Sequence, residues 1–220
     1  MRHPAVPWVV PFAVFMVLLA VVPKLGLPPL ADLSIRLLLP ALAVLLFSRH
    51  LLSFRFTSPG MSVLVGAGVF AFWVAPDVLF AGWRAHWLFQ NSVFGTLEST
   101  LPPEARTDPM ALALRIARAA IVVPVVEELF WRGWLMRWII NADFEKVPLG
   151  AYARNAFWIT AALFAVEHGS YWEVGFLAGA VYNWWMVRTK NVSDLILAHA
   201  VTNACLAAFV LATGRWEFWM

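Results

Sequence analysis

The sequence predicts an all-α fold, a polytopic transmembrane helical bundle forming a single membrane domain over residues 1–220. Composition is the first reason. Of the 220 residues 62% are hydrophobic and 13% charged, with a mean hydropathy of +0.74, far from the balance of a soluble domain. The second is run length, since several apolar stretches approach the roughly 20 residues needed to cross a ~30 Å hydrocarbon core. The third is continuity, because a membrane β-barrel would alternate apolar and polar residues over segments of about ten.

About seven spans are expected, or eight if an interfacial segment inserts. Residues 8–22 form the first, ended by Pro23 with Lys24 beyond, and residues 33–52 the second, interrupted by Pro40 and closed by Arg49, His50 and Arg55. Residues 61–80 form the third, where Gly66 and Gly68 permit close helix approach. Asp77, after Pro76, is expected at that helix end rather than in a functional role.

Residues 81–109 change character. Trp83, Trp87, Leu88, Phe89, Val93, Phe94 and Leu97 alternate with polar residues before Pro102-Pro103. This pattern predicts an interfacial amphipathic segment and a polar loop, read as a linker in preference to a lid.

Residues 110–140 form a long helix that Pro124 should kink just before an acidic pair, because proline removes a backbone hydrogen bond. After a polar loop, residues 155–168, 171–187 and 192–212 make the last spans. Gly169-Ser170 forms a tight break, and Asn191 or Ser193 caps the final helix.

The charge of +3 is small and scattered, with no basic run interleaved with aromatics, so no nucleic-acid partner is expected. The lipid bilayer is. Thirteen tryptophans suit interfacial anchoring and helix packing. A single cysteine, Cys205, excludes an intrachain disulfide framework. Arg2 and His3 precede the first apolar run without a small-residue cleavage pattern after it, so that run reads as a membrane helix. A cytoplasmic N-terminus puts Arg49, Arg55, Lys146, Arg154, Arg188 and Lys190 on one side, as positive-inside bias favours.

Glu127 and Glu128 lie within the long apolar helix, where an acid costs about 2.5–3.5 kcal/mol at a span centre. Glu128 and Arg132 are spaced i, i+4 with the acid first, the better order for a helical ion pair. Glu127, rotated by about 100°, is left to face a cavity as a general acid or base. The bland alternative is a buried ion pair with a second acid satisfied by other helices. His168 ends its helix four residues after Phe164, a place where a histidine commonly serves the helix dipole. The adjacent Glu167 reads as interfacial. His199 and Asn203, at i, i+4 in the last span, are either an interhelical hydrogen-bond pair or part of a site.

Together, Glu127-Glu128-Leu129-Phe130-Trp131-Arg132, Phe164-Ala165-Val166-Glu167-His168 and His199-Ala200-Val201-Thr202-Asn203 resemble the three motifs of the CAAX protease and bacteriocin-processing (CPBP) family of intramembrane proteases. The stretch leading into His199 is similar too, although Lys190 stands where a glycine is common. The resemblance covers roughly residues 110–212 as the core, with residues 1–109 supplying N-terminal spans and the interfacial segment. Size and tryptophan content are compatible with a bacterial, exosortase-associated branch, and hence with an inner-membrane location.

The resemblance implies an intramembrane endopeptidase acting on a membrane-associated protein or peptide. In it Glu127 activates water, His168 positions it, His199 and Asn203 stabilise the oxyanion, and Glu128 and Arg132 support the site. A metal-free mechanism with no cofactor is favoured. The alternative is zinc held by Glu127, His168 and His199, as three-ligand catalytic zinc requires. A competing class is a non-enzymatic scaffold or transporter whose intramembrane charges hold helices together.

Overall fold

A computed structural model describes residues 3–219, so Arg2 lies outside the described residues. Seven helical rods, and no strand, are present among them. α1 is Val6–Val21, tightened into a 3₁₀ turn through Leu25 and ended by Gly26 in the left-handed region at φ 62°. α2 is Pro29–Ala43, continued to Leu51 through a π turn and a 3₁₀ turn. α3 is Pro59–Leu79 and α4 is Pro109–Ile140. α5 is Arg154–Glu167, α6 is Trp172–Thr189 and α7 is Val192–Thr213.

The starts follow local rules. Proline occupies the first turn of α2, α3 and α4, where its missing N–H is not needed. Asp108 caps α4 by accepting from the Met110 amide at 2.8 Å, and Asn191, of the two candidates, caps α7 by accepting from Ser193 at 2.8 Å.

Five helices are long and apolar enough to cross a membrane: Val6–Leu25, Pro29–Leu51, Pro59–Leu79, Pro109–Ile140 and Val192–Thr213. Seven spans were expected; seven helical rods are present among the described residues, of which these five have the length and hydropathy of a span. At 14 residues, α5 rises roughly 21 Å, short of a ~30 Å core. α6 carries Glu173 near its start and Arg188 near its end. Large apolar side chains such as Leu38, Leu46, Leu64 and Ile121 point outward, 60–65% exposed, as a surface against lipid requires. The chain is an integral membrane protein.

Residues 81–108 form no α-helix. They contain 3₁₀ turns at Trp83–Ala85 and Pro103–Thr107 and a bridge between Asn91 and Gly95. No amphipathic helix forms: Phe89 and Phe94 pack inward on α6, while Trp83, Trp87, Leu88 and Val93 stay exposed. Phe89 and Phe94 stack on Trp172, whose indole donates to the Leu88 carbonyl at 3.0 Å. Arg84 anchors the segment by ion pairs to Asp77 at 2.8 Å and Glu173 at 2.7 Å, which gives Asp77 its structural use.

α7 and α3 pack along much of their length. The fully buried Asp194 accepts from the amides of Thr57 at 2.6 Å and Ser58 at 2.9 Å, and from the Ser62 hydroxyl at 3.1 Å. It therefore caps α3 across the chain, offsetting the orphan donors of that helix start. Further along, Gly66 lies so close to the Ala198 carbonyl that any Cβ would clash.

Two stability outcomes follow. Asp194→Asn replaces one accepting oxygen with an amide donor, so at least one of the N–H or O–H donors loses its acceptor, and should cost about 1–3 kcal/mol, read by thermal denaturation in detergent. Lys190, which ends α6, is the one described non-glycine residue with positive φ, at 54°. Lys190→Gly should therefore raise stability by roughly 0.5–1 kcal/mol. An unchanged melting temperature in both would contradict the local accounts.

Candidate active site

α4 is a single rod with two π-helical stretches, Arg118–Val122 and Leu129–Leu135, on either side of the acidic pair. The first ends just before Pro124, so the wider turn absorbs the break that proline imposes on the ladder. Between them, Glu127 and Glu128 point in different directions.

Glu128 is fully buried. Its two oxygens accept from Arg132 Nη1 at 3.1 and 3.0 Å, and Oε1 also accepts from His199 Nδ1 at 2.7 Å. Arg132, equally buried, donates through Nε to Asn183 Oδ1 at 2.8 Å and through Nη2 to the Gly179 carbonyl at 3.1 Å. Its guanidinium lies over Phe164, 4.5 Å from the ring centre. Asn183 in turn donates to the Phe157 carbonyl at 2.7 Å. One ion pair thus ties α4 to α5, α6 and α7.

Glu127 is 4% exposed and lines a cavity of about 530 Å³ with His168, His199, Asn203, Glu167 and Tyr182 among its walls. Its Oε2 has no hydrogen-bond partner and lies 4.0 Å from His199 Nε2. That gap exceeds a direct hydrogen bond and suits a bridging water or substrate oxygen.

The two histidines are each oriented through Nδ1. His199 donates it to Glu128, and its ring stacks on Tyr182 at 5.0 Å. Tyr182 is itself fixed by donating to Thr202 at 2.7 Å. His168 Nδ1 lies 2.7 Å from the Phe164 carbonyl; a carbonyl only accepts, so the proton sits on Nδ1 and Nε2 is left for other partners. That contact serves the last turn of α5, the role expected of a histidine at a helix end, yet the ring also faces the cavity.

His168 can meet Glu127 because α5 stops inside the bundle. Gly169 takes φ 51°, and a Cβ there would stand 2.9 Å from the Phe94 carbonyl. Asn203 donates Nδ2 to the Ala119 carbonyl at 2.8 Å, which leaves its second amide proton uncommitted. The structure thus brings Glu127, His168, His199 and Asn203 to one cavity, with Glu128 and Arg132 behind them.

Two residues or segments do more than the sequence suggests. Glu167 lines the same cavity and accepts from the Trp131 indole at 3.1 Å. Segment 81–108 is more than a linker, since Phe94, Thr96, Glu98 and Thr100 form part of the cavity wall. Asn183, which holds Arg132, was not singled out in sequence. The available signal was a lone amide side chain within the otherwise apolar run of α6. Among the described residues no group of three His, Cys, Asp or Glu side chains is arranged to hold a metal ion.

Residues 109–205 match the family model described as type II CAAX prenyl endopeptidase, Rce1-like. The match contains every residue from Glu127 to Asn203 discussed above, and excludes α1, α2 and α3. Neither curated proteins nor solved structures provide a match.

The geometry separates two acids that sequence alone places side by side. Arg132→Met strands the fully buried Glu128 and should cost about 3–5 kcal/mol. Glu127→Gln, at an acid whose Oε2 has no partner to lose, should change stability by less than about 1 kcal/mol. Equal losses in detergent melting would mean that Glu127 is as structural as its neighbour.

Proposed function

We propose, from the premise that residues 109–205 are a Rce1-like domain of the CAAX endopeptidase family, that the chain hydrolyses a peptide bond at the membrane by glutamate-activated water. One observation carries this reading: a buried carboxylate, Glu127, faces the cavity with Oε2 unpartnered, 4.0 Å from His199 Nε2, while Glu128 is saturated by Arg132 and His199.

In this mechanism Glu127 takes a proton from water as the water oxygen attacks the carbonyl carbon. The Nε2 lone pair of His168 orients that water. The charge that develops on the carbonyl oxygen is met by Asn203 and His199, donors held rigidly in a water-poor site. His199, oriented by donating Nδ1 to Glu128, presents Nε2 to the same oxygen. Collapse of the tetrahedral intermediate breaks the C–N bond. The proton held by Glu127 passes to the leaving nitrogen, and the water's second proton, lost as the new acyl terminus ionises to a carboxylate, is taken up by the product amine.

The substrate is a membrane-associated protein or peptide. The location supported by the family resemblance and basic loops is a bacterial inner membrane with the N-terminus in the cytoplasm. The scaffold or transporter reading draws no support from an acid that neighbouring helices leave unsatisfied.

Glu127→Gln should retain the fold and lose about 10²–10⁴-fold in cleavage rate. Membrane proteomics of wild type against this variant should reveal a precursor that accumulates uncleaved. A folded variant with unaltered processing would overturn the assignment. In the purified protein, activity should survive a chelator titration; loss of activity together with stoichiometric zinc would favour the metal-dependent version.

A further inference from the structure

The exposed basic residues and the mouth of the cavity lie at opposite ends of the bundle. At one end the start of α1 meets the end of α2, where the Ser48 hydroxyl donates to the Pro7 carbonyl. At that same end Asn191 Nδ2 donates to the Arg55 carbonyl and to Thr57 Oγ1, each at 2.9 Å. Gly150 packs there against Met186 and Lys190. Arg49, Arg55, Lys146, Arg154, Arg188 and Lys190 are all exposed on this end. At the other end, among the described residues, Lys24 is the one exposed lysine or arginine. Arg84 is buried against Asp77 and Glu173, and Arg215 is paired with Glu217 at 2.7 Å. Arg106 donates to the Leu101 carbonyl at 3.2 Å. Arg36, Arg115 and Arg118 are buried within the helices and are not loop charges. Loop lysines and arginines are retained in the cytoplasm, and six against one is a clear bias.

The cavity opens at the second end. Its exposed wall residues are Pro23, Thr96, Glu98 and Thr100. The Thr100 amide donates to the Trp219 carbonyl at 2.8 Å, so segment 81–108 and the chain after α7 share that end. None of the described residues in loops 52–58, 141–153 and 190–191 lines the cavity. Towards those loops it is closed by Glu128, Arg132 and Asn183, each fully buried and joined through Arg132. A peptide crossing that layer would strand a buried charge, at a cost of several kcal/mol. Glu127 is therefore reached from the second end alone.

We infer that the cavity opens on the non-cytoplasmic face of the membrane and takes as substrate a polypeptide already carried across it. Cleavage then falls where an apolar segment of that polypeptide enters the far leaflet, beside walls such as Leu19, Trp73 and Leu206. The substrate class rests on the endopeptidase reading; the side rests on loop charge and cavity shape. A cytoplasmic protein, however apolar its end, meets the closed side of the bundle.

The test is thiol accessibility of the full chain in intact spheroplasts, in a Cys205→Ala background that removes the single native thiol. Ser92→Cys places a thiol on segment 81–108, and Phe54→Cys places one on the loop before α3. Both positions are exposed and neither lines the cavity. A membrane-impermeant maleimide should label Ser92→Cys in intact spheroplasts and Phe54→Cys only after permeabilisation. Glu98→Cys, on the cavity wall, should label together with Ser92→Cys. Labelling of all three after permeabilisation establishes that each thiol is reachable. The precursor that accumulates with Glu127→Gln should be degraded by protease added to intact spheroplasts.

Labelling of Phe54→Cys in intact spheroplasts, or of Ser92→Cys only after permeabilisation, overturns the sidedness and leaves the endopeptidase reading untouched. A precursor protected until permeabilisation overturns the substrate class. If Ser92→Cys and Glu98→Cys label from outside while Glu127→Gln accumulates no precursor, the endopeptidase reading fails and the outward cavity stands.

Discussion

The site depends on one interaction, the fully buried pair of Glu128 and Arg132. An unpaired charge in this position would carry a desolvation penalty of several kcal/mol. Arg132 avoids it by spending its three nitrogens on three partners, Glu128, Asn183 and the Gly179 carbonyl. Glu128 avoids it by sharing one oxygen with His199. These bonds run between helices. The ion pair therefore fixes the relative positions of α4, α6 and α7, with Phe164 of α5 closing the guanidinium face.

That rigidity is what allows Glu127 to be under-satisfied. A carboxylate with an unpartnered oxygen would rotate or draw in a neighbour if the surrounding helices could shift. Here the neighbours are committed: His199 to Glu128, Asn203 to Ala119, His168 to Phe164 and Glu167 to Trp131. Each commitment leaves a specific valence facing the cavity. Preorganisation of this kind is where catalytic advantage arises, because no reorganisation is needed as charge develops. The same cavity continues along α4 to Arg115 and Arg118.

Much of the frame was legible in the sequence. The runs expected over residues 8–22, 61–80, 110–140 and 192–212 match α1, α3, α4 and α7 to within a few residues at each end, because helix termination is governed by local backbone chemistry. The split between Glu127 and Glu128 was legible for the same reason, since helical rotation is local. Span quality was harder to read. The shortness of α5 is a consequence of Gly169 turning the chain against Phe94, a neighbour 75 residues away in sequence.

What the sequence determined by itself is the helical membrane class, the order of the helices and the three motifs, because periodicity, propensity and capping act over a few residues. Only the tertiary structure decided which polar groups meet. Asp194 capping α3, Asn183 holding Arg132, Glu167 turning inward and residues 81–108 walling the cavity all join segments far apart in the chain. Those contacts are selected by the cost of leaving buried polar groups unpaired, and a linear sequence does not say which partners packing will bring within reach.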